Sequence, residues 1–323
     1  MTIPLPTPQQ KSCSICNKKE IIYHRVHSGQ FLCSECFVES IEKIIYKTIS
    51  KFNLLRPQDK IIVGVSGGKD SLTLLYNLWK IQKNAYNSNP LEALSIDEGI
   101  SSYSKKRVQK VETFCKNLDI SLKKISFEQY LGFSLEKIKQ IQQEKNDFVY
   151  PCNYCAILKR RLLNDVAKEM KGTVLALGHN LTDLAETYLM NILYNRYHLI
   201  SRKTFVRRSS LSQEYYVERI SPLMRIPEDE IELYAKLMEF NYYEPLCPFR
   251  TEFPIIRKKV LAFLLSLKKQ SPEIEYNLFK GNLKLSRILH KNEISEPPNH
   301  CIRCGYPTTY PKKCMYCKLL DRL

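Results

Sequence analysis

Apolar positions along the chain alternate between two periods. Lys60 to Val65 (KIIVGV) is a β-branched run that ends at Ser66-Gly67-Gly68 and reads as a buried strand. The next segment places Leu72, Leu75, Leu78 and Trp79 on one helical face. Ala93 to Ile96 is a second short strand, Val108, Val111, Phe114, Cys115 and Leu118 mark a helix, and Ser121 to Ser126 is a third strand. An amphipathic basic helix over Tyr154 to Met170, a strand over Thr173 to Gly178 and a helix over Leu181 to Tyr194 complete the series. Upstream, Ile44, Ile45, Ile49 and Phe52 predict a helix over 41–55, and beyond residue 220 the pattern is mainly helical. Strands and helices alternating at these lengths predict an α/β fold, a doubly wound parallel sheet with helices on both faces. Ligands of such sheets lie beyond the carboxyl ends of the strands, where the turns at Gly67-Gly68 and at Gly178-His179 fall. The expected organisation is a cysteine module over 1–40, the α/β domain over 41–220, a mainly helical extension over 221–297 that completes it and supplies Cys247, and a second cysteine module over 298–323.

The first of those turns has the composition of a phosphate cradle. In Ser66-Gly67-Gly68-Lys69-Asp70-Ser71, the glycines let the backbone aim several N–H groups at one anion, and the following helix start adds positive partial charge. Lys69 adds a full charge, and Ser66 and Ser71 add hydroxyl donors. The spacing is not that of the Walker loop, which places four residues between its first glycine and Gly-Lys. The motif resembles instead the PP-loop of the ATP pyrophosphatases, an adenine nucleotide alpha hydrolase-like fold that splits ATP to AMP and pyrophosphate. That likeness implies adenylation rather than phosphoryl transfer.

Charge and cysteine usage narrow the partners. Lys and Arg number 50 against 33 Asp and Glu, a net of +17 over 323 residues, which favours a polyanion such as nucleic acid. The start of the chain lacks the features of a secretory signal, and the best apolar run, Leu261 to Leu267, is too short to span a bilayer, so a cytoplasmic protein is expected. Ten of the twelve cysteines form five Cys-x-x-Cys pairs, an arrangement of metal or redox chemistry rather than of a secreted disulfide scaffold. Cys13, Cys16, Cys33 and Cys36 offer four thiolates for one tetrahedral zinc, and Cys301, Cys304, Cys314 and Cys317 for a second. Both zincs would be structural, with His24 and His27 outside a site that four cysteines complete. Cys152 and Cys155 have no second pair nearby, and only Cys247 and Cys115 remain outside the modules. Spacing leaves three readings open for Cys152, Cys155 and Cys247: a [4Fe–4S] cluster with one iron lacking a protein ligand, a third zinc, or a disulfide and persulfide pair. Cys115, on an apolar helix face, reads as core.

Nearly the whole chain resembles the tRNA 2-thiouridine synthetases, the group of cytoplasmic tRNA 2-thiolation protein 1 and two-thiouridine synthetase A. The resemblance rests on Ser66 to Ser71, Asp97-Glu98-Gly99-Ile100, Pro151 to Cys155, Gly178-His179-Asn180-x-x-Asp183-x-Ala185-Glu186-Thr187, Cys247-Pro248 and Cys301-Ile302-Arg303-Cys304-Gly305-Tyr306-Pro307. It implies a [4Fe–4S] cluster on Cys152, Cys155 and Cys247, zinc in both terminal modules, an active-site lysine at Lys159 and functional aspartates at Asp70 and Asp183. One departure is Ile192-Leu193-Tyr194-Asn195-Arg196, where relatives often carry an Arg-Gly-Asp-like segment. Of the family's two targets, wobble uridine 34 and 5-methyluridine 54 of the T-loop, the segments 97–100, 158–161 and 185–191 look more like the wobble group.

The implied reaction binds ATP with Mg²⁺ at Ser66, Gly67, Gly68, Lys69, Asp70 and Ser71 together with Gly178 and His179. The uridine C2 oxygen is adenylated, and sulfur then enters through the cluster, with a persulfide on Cys152 or Cys155 as the competing carrier. Asp70, Lys159 and Asp183 position the reactants and neutralise charge; the alternative for Asp183 is a helix cap. A ubiquitin-like thiocarboxylated protein is the implied sulfur donor, no membrane partner is expected, and the family leaves room for a homodimer. Candidate tRNA contacts are Lys159, Arg160, Arg161, Arg202, Lys203, Arg207, Arg208, Arg257, Lys258 and Lys259, with Tyr194, Tyr197, Tyr215 and Tyr216 as stacking platforms. The rivals are another PP-loop enzyme, for cytidine 2-thiolation or lysidine synthesis, and a non-catalytic zinc-ribbon RNA-binding protein.

Overall fold

The computed structural model describes residues 12–17, 20–85, 88–145, 149–201, 205, 207, 214–252, 256–292 and 299–323. The described chain opens on an antiparallel hairpin, β1 (Tyr23–Arg25) and β2 (Gln30–Leu32), followed by helix α1 (Ser34–Lys51). The α/β region then runs β3 (Ile61–Gly64), α2 (Lys69–Lys83), β4 (Glu92–Asp97), α3 (Ser101–Asn117), β5 (Ser121–Ser126), α4 (Phe127–Leu131), α5 (Leu135–Glu144), α6 (Pro151–Glu169), β6 (Val174–Leu177), α7 (Leu181–Leu193), α8 (Tyr197–Ser201) and β7 (Glu218–Ile220). Helices α9 (Glu228–Leu237), α10 (Pro248–Glu252), α11 (Ile256–Gln270) and α12 (Ile274–Asn292) follow, and β8 (Asn299–His300), β9 (Pro307–Thr308) and α13 (Met315–Leu320) close the chain. No described helix is long and apolar enough to cross a membrane.

The central sheet has five parallel strands in the order β5-β4-β3-β6-β7. The order reverses between β3 and β6, so the crevice beyond their carboxyl ends is the ligand position of a doubly wound sheet. Side-chain alternation divides the core in two. Ile61 and Val63 of β3 face the layer of α1, α2 and α9, while Ile62 faces the layer of α5, α6 and α13. Val174 and Ala176 of β6 turn to the first layer and Leu175 to the second. Leu72, Leu74, Leu75 and Leu78 of α2 are each at most 1% exposed, and burial of that depth is worth about 1.5–3 kcal/mol per side chain.

Two boundaries differ from the periodicity. The helix expected over 41–55 begins at Ser34, because Cys33 supplies an extended cap residue and Cys36 and Phe37 are already buried in the first turn. The expected division at residue 40 thus falls inside a continuous helix. Strand β7 escaped the pattern, since a three-residue edge strand with one buried position carries little alternation.

The N-terminal hairpin is tied to the α/β region by a buried ion pair. Arg25 donates from Nε and Nη2 to the two carboxylate oxygens of Glu230 on α9, both at 2.9 Å, and Nη2 also reaches Ser40 Oγ at 2.9 Å. The two side chains are 4% and 1% exposed. Removing one partner leaves a buried charge uncompensated. Arg25→Ala should therefore cost about 3–5 kcal/mol in urea unfolding, whereas the paired change Arg25→Met with Glu230→Met should cost distinctly less. Equal losses would show that packing alone, without charge, holds the hairpin in place.

Candidate nucleotide and metal site

The phosphate loop lies at the order reversal of the sheet. Ser71 Oγ accepts from the Ser66 N–H at 3.1 Å, lies 3.2 Å from Ser66 Oγ and donates to the Gly68 carbonyl at 3.0 Å, which folds the loop onto the start of α2. Gly67 has φ +83°, and a Cβ there would lie 2.7 Å from the Arg107 carbonyl oxygen. Both the conformation and the space therefore require glycine. Gly178 serves close approach: a Cβ there would come within 3.2 Å of Ser71 N, so the turn after β6 rests directly on the phosphate loop. His179 lies in that turn, next to Asn180.

Charges at the loop are interlocked. Lys69 Nζ donates to Glu228 Oε1 on α9 at 2.6 Å and approaches Asp70 at 3.4 Å. Burial pushes the Lys69 ammonium down, but Asp70 and Glu228 outweigh it and hold the group above the ordinary lysine range. Asp70 accepts the Asn180 side-chain amide at 3.0 Å, and burial raises its carboxyl. Asp183 forms a capping box with Asn180: the Asp183 N–H donates to Asn180 Oδ1 at 2.9 Å, and the Asn180 N–H donates to Asp183 Oδ2 at 3.2 Å. The cap occupies one carboxylate oxygen; the other lies 4.0 Å from Arg257. Burial raises Asp183 as well.

Across the crevice, α6 presents the central cysteines. Pro151 occupies its first turn, where a missing N–H costs nothing. Cys152 and Cys155 are half-buried on that turn, and Cys247 stands just before α10; all three pack against one core layer. Cys247 raises both other thiols through its charge. Burial is the larger cause, pushing Cys152 up and Cys155 up to about 11, while Arg250 and Lys258 beside Cys152 and Lys159 and Arg107 beside Cys155 pull the other way. Three sulfurs sharing one surface among four cations suit an anionic thiolate-bound group. Among the described residues only the terminal sets bring their ligand atoms within 4.8 Å of one another, the spacing of a single ion. The central trio does not meet that spacing.

The residue that composition and motif left without a role is Glu98. It follows the end of β4, is 2% exposed and forms ion pairs with both Lys159 of α6 and Arg107 of α3. Burial raises its carboxyl, but Lys159 and Arg107 more than reverse that and hold it below the ordinary range. The same pairing, with help from Cys155, keeps Lys159 charged against burial. Arg107 also donates to the Ile96 carbonyl at 3.0 Å, and its own carbonyl is the atom that confines Gly67. Phosphate loop, Glu98 and cysteine helix thus form one connected strut.

Both terminal cysteine sets converge. Cys16 and Cys33 sulfurs lie 3.8 Å apart, and Cys304 and Cys314 sulfurs 3.7 Å apart. Burial would raise Cys13, but backbone N–H groups of Cys16, Cys33 and Ile15 bring it down to about 6. N–H groups of Cys314, Arg303 and Cys304 do the same for Cys301, against burial, also to about 6. These are metal-binding arrangements. His24 stacks on Phe31 at 4.1 Å and His27 packs against Tyr276 at 4.5 Å, so neither joins the four sulfurs. Cys115 is buried, and burial raises it to about 11.

Several expected RNA contacts are engaged internally. Arg207, 4% exposed, pairs with the buried Asp59 and the half-buried Glu218, and withdrawing it would leave the Asp59 charge uncompensated. Arg161 lies 3.3 Å over the Tyr306 ring and donates to Asp165 at 2.6 Å, fastening the C-terminal module to α6. Tyr215 and Tyr216 pack against Tyr306 in the same junction, both at 5.6 Å. Arg257 donates to the buried Glu186 at 2.7 Å. Arg160, Lys258 and Lys259 are exposed, as are Tyr194 and Tyr197. Arg202, Lys203 and Arg208 lie outside the described residues.

A Gly-Gly-Lys-Asp-Ser turn at the order reversal of a parallel sheet defines a PP-loop nucleotide-binding domain, and the PP-loop domain model matches residues 37–262. The chain is 32% identical over 317 residues to a probable sulfurtransferase of Methanocaldococcus jannaschii, covering 96% of this chain and 87% of that protein. It is 33% identical over 316 residues to cytoplasmic tRNA 2-thiolation protein 1 of Drosophila yakuba, covering 97% and 88%. The chain belongs to the family of cytoplasmic tRNA 2-thiolation protein 1. Its structure is similar to that of the U34-tRNA thiolase NcsA from Methanococcus maripaludis with its [4Fe-4S] cluster, with TM-score 0.81, 30% identity and coverage of 98% and 97%.

Glu98 is testable without any substrate. Glu98→Gln should cost about 3 kcal/mol at neutral pH, and adding Lys159→Met should recover part of that loss. A carboxyl held below its unfolded value stabilises above that value and loses the contribution as pH falls through the folded one. The stability gap between wild type and Glu98→Gln should therefore be constant above about pH 5 and narrow below about pH 4. A gap independent of pH down to about pH 3 would deny Glu98 its charge.

Proposed function

We propose that this chain is an ATP-dependent tRNA uridine 2-sulfurtransferase acting at wobble uridine 34. What supports the reading most directly is the strut from the phosphate loop through Arg107 and Glu98 to Lys159 and the cysteine turn of α6. It registers an adenylation site against a sulfur site. The named function of the similar M. maripaludis enzyme favours position 34 over 5-methyluridine 54.

In the proposed reaction the loop 66–71, with Gly178 and His179 beside it, receives the ATP phosphates. The uridine C2 oxygen attacks the α-phosphorus and pyrophosphate leaves. A sulfur nucleophile then adds at C2, and AMP departs with the original oxygen. Displacement at phosphorus calls above all for positioning and charge neutralisation. Lys69 and Lys159, both held charged by carboxylates, supply it from opposite sides of the crevice. Mg²⁺ carried with ATP would meet Asp70 and Asp183, two carboxylates that burial raises and a divalent cation would bring down. Cys152, Cys155 and Cys247 would hold a [4Fe–4S] cluster, which when bound offers an iron without a protein ligand as a sulfur-binding position. The terminal sets would each hold a structural zinc. A ubiquitin-like thiocarboxylated protein is the proposed donor, and exposed Ile15 and Ile302 on the two modules leave room for a homodimer.

Nucleoside mass spectrometry after incubating tRNA with ATP and a sulfide source checks the reading. 2-Thiouridine should map to position 34, and sulfur at position 54 instead would favour the T-loop alternative. Lys69→Ala and Asp70→Ala should each lower the rate at least about 100-fold, with zinc content unchanged. Near-normal rates in both would remove adenylation at this loop. In anaerobic preparations Cys152→Ala, Cys155→Ala and Cys247→Ala should each lose iron, whereas Cys115→Ala should keep it. Full-rate thiolation by iron-free protein would replace the cluster by a persulfide route through Cys152 and Cys155.

A further inference from the structure

Beyond the catalytic crevice, α6, β7 and the C-terminal module enclose a groove of about 160 Å³ lined by Arg160, Arg161, Arg219, Tyr216, Tyr306 and Tyr316. Such a volume is smaller than the roughly 300 Å³ and more of small-molecule sites. Arg219 Nη2 donates to the Arg160 carbonyl at 3.1 Å, and among the described residues no carboxylate pairs with either guanidinium. Arg219 thus lies against the backbone of Arg160, within reach of its charge. Burial and a neighbouring arginine push both below the ordinary arginine value, Arg257 acting on Arg160 and Arg160 on Arg219. Both residues are exposed, unlike Arg25, Arg107 and Arg207, whose guanidiniums are held by acids in the interior. Beside the unpaired pair stand Tyr216, 37% exposed, and the rings of Tyr306 and Tyr316 that Arg161 bridges at 3.3 and 4.9 Å.

We propose that this groove is an RNA subsite, in which Arg160 and Arg219 grip a backbone phosphate and the tyrosine edge takes the adjoining ribose or base. It rests on the tRNA reading above. Neither guanidinium is held by a carboxylate, and each keeps donors that a phosphate oxygen can take in a charge-assisted hydrogen bond stronger than one to water. Aromatic faces beside them suit a nucleotide more than an acidic peptide. The C-terminal module thereby acquires a role besides stability, as the wall that presents Tyr306 and Tyr316 next to the helix carrying Lys159.

The test is the salt dependence of affinity for unmodified tRNA transcript, with the full chain carrying its metals. Arg160→Gln with Arg219→Gln should weaken binding at least about tenfold near physiological salt and reduce the slope of log K against log salt by about 0.7–0.9, the share of one phosphate. Arg160→Lys with Arg219→Lys keeps the charges and should restore most of the slope, which a merely structural role would not. Lys43→Ala with Lys47→Ala, removing equal charge from α1, should leave the slope within error of wild type. Equal losses in the α1 and groove variants, or an unchanged slope in the glutamine pair, would overturn the subsite. Binding of a polyglutamate peptide that the glutamine pair abolishes, with tRNA affinity intact, would assign the groove to an acidic protein and also overturn it. Failure of wild type to bind tRNA at all would sink the parent reading instead.

Discussion

A single buried carboxylate sets the register of this molecule. Glu98 sits at the carboxyl end of β4 with 2% of its side chain exposed, a position in which an unpaired charge is not sustainable. It is tolerated because Arg107 arrives from α3 and Lys159 from α6. Each cation has a second attachment. Arg107 reaches the Ile96 carbonyl and crowds Gly67, while Lys159 lies next to Cys155. The end of β4, α3 and α6 are thus held relative to one another, and they are the segments that bring a nucleotide loop and a cysteine turn to the same crevice. Breaking a buried ion pair is costly even where forming it contributes little net stability, so the arrangement is specified more than it is strengthened.

Helix α9 performs the matching task on the other side. Its first turn carries Glu228, Asp229 and Glu230, placed where the helix dipole favours negative charge. Glu228 takes Lys69 of the phosphate loop, and Glu230 takes Arg25 of the N-terminal hairpin. One turn of helix therefore couples the first cysteine module to the nucleotide loop. The C-terminal module is coupled to α6 by an analogous device, Asp165, which accepts from Arg161 at 2.6 Å, Tyr130 at 2.7 Å and Tyr306 at 2.5 Å. Each module is anchored to an element that also positions a reacting group, which makes metal occupancy in the modules relevant to crevice geometry and not only to local folding.

How much of this is legible in the chain depends on the range of the interaction. Strand β3, the loop at 66–71 and the cysteine sets are readable because each is a local pattern: a β-branched run, a glycine turn, a fixed ligand spacing. The cap formed by Asn180 and Asp183 is local too, and an Asn-x-x-Asp spacing at a helix start suggests it. Glu98 is not readable in that way. In Asp97-Glu98-Gly99-Ile100 it has the look of a solvated turn acid, and only partners nine and sixty-one positions away bury it. Arg207 fails for the same reason, its acid Asp59 being far away in sequence, and Arg161 because the Tyr306 ring it covers belongs to the C-terminal module. Strand β7 is defined by pairing to β6 and not by its own composition.

The distribution of charge completes the picture. A net of +17 describes the chain but not its surface. Glu98, Asp59, Glu186 and Glu230 each lie in the interior holding at least one cation, so several arginines are withdrawn from any outside partner. Each such pair withdraws charge of both signs, so the net excess stands while its carriers narrow to the exposed side chains. They include exposed Lys258 and Lys259 at the start of α11, Arg160 on α6 and Arg219 on β7. Lys258 acts on Cys152 and Arg160 adjoins Lys159 in α6, so part of this charge stands beside the crevice. A polyanion drawn by those charges is drawn toward the site, because screening confines each contribution to within about 10 Å of its source at 0.1 M salt.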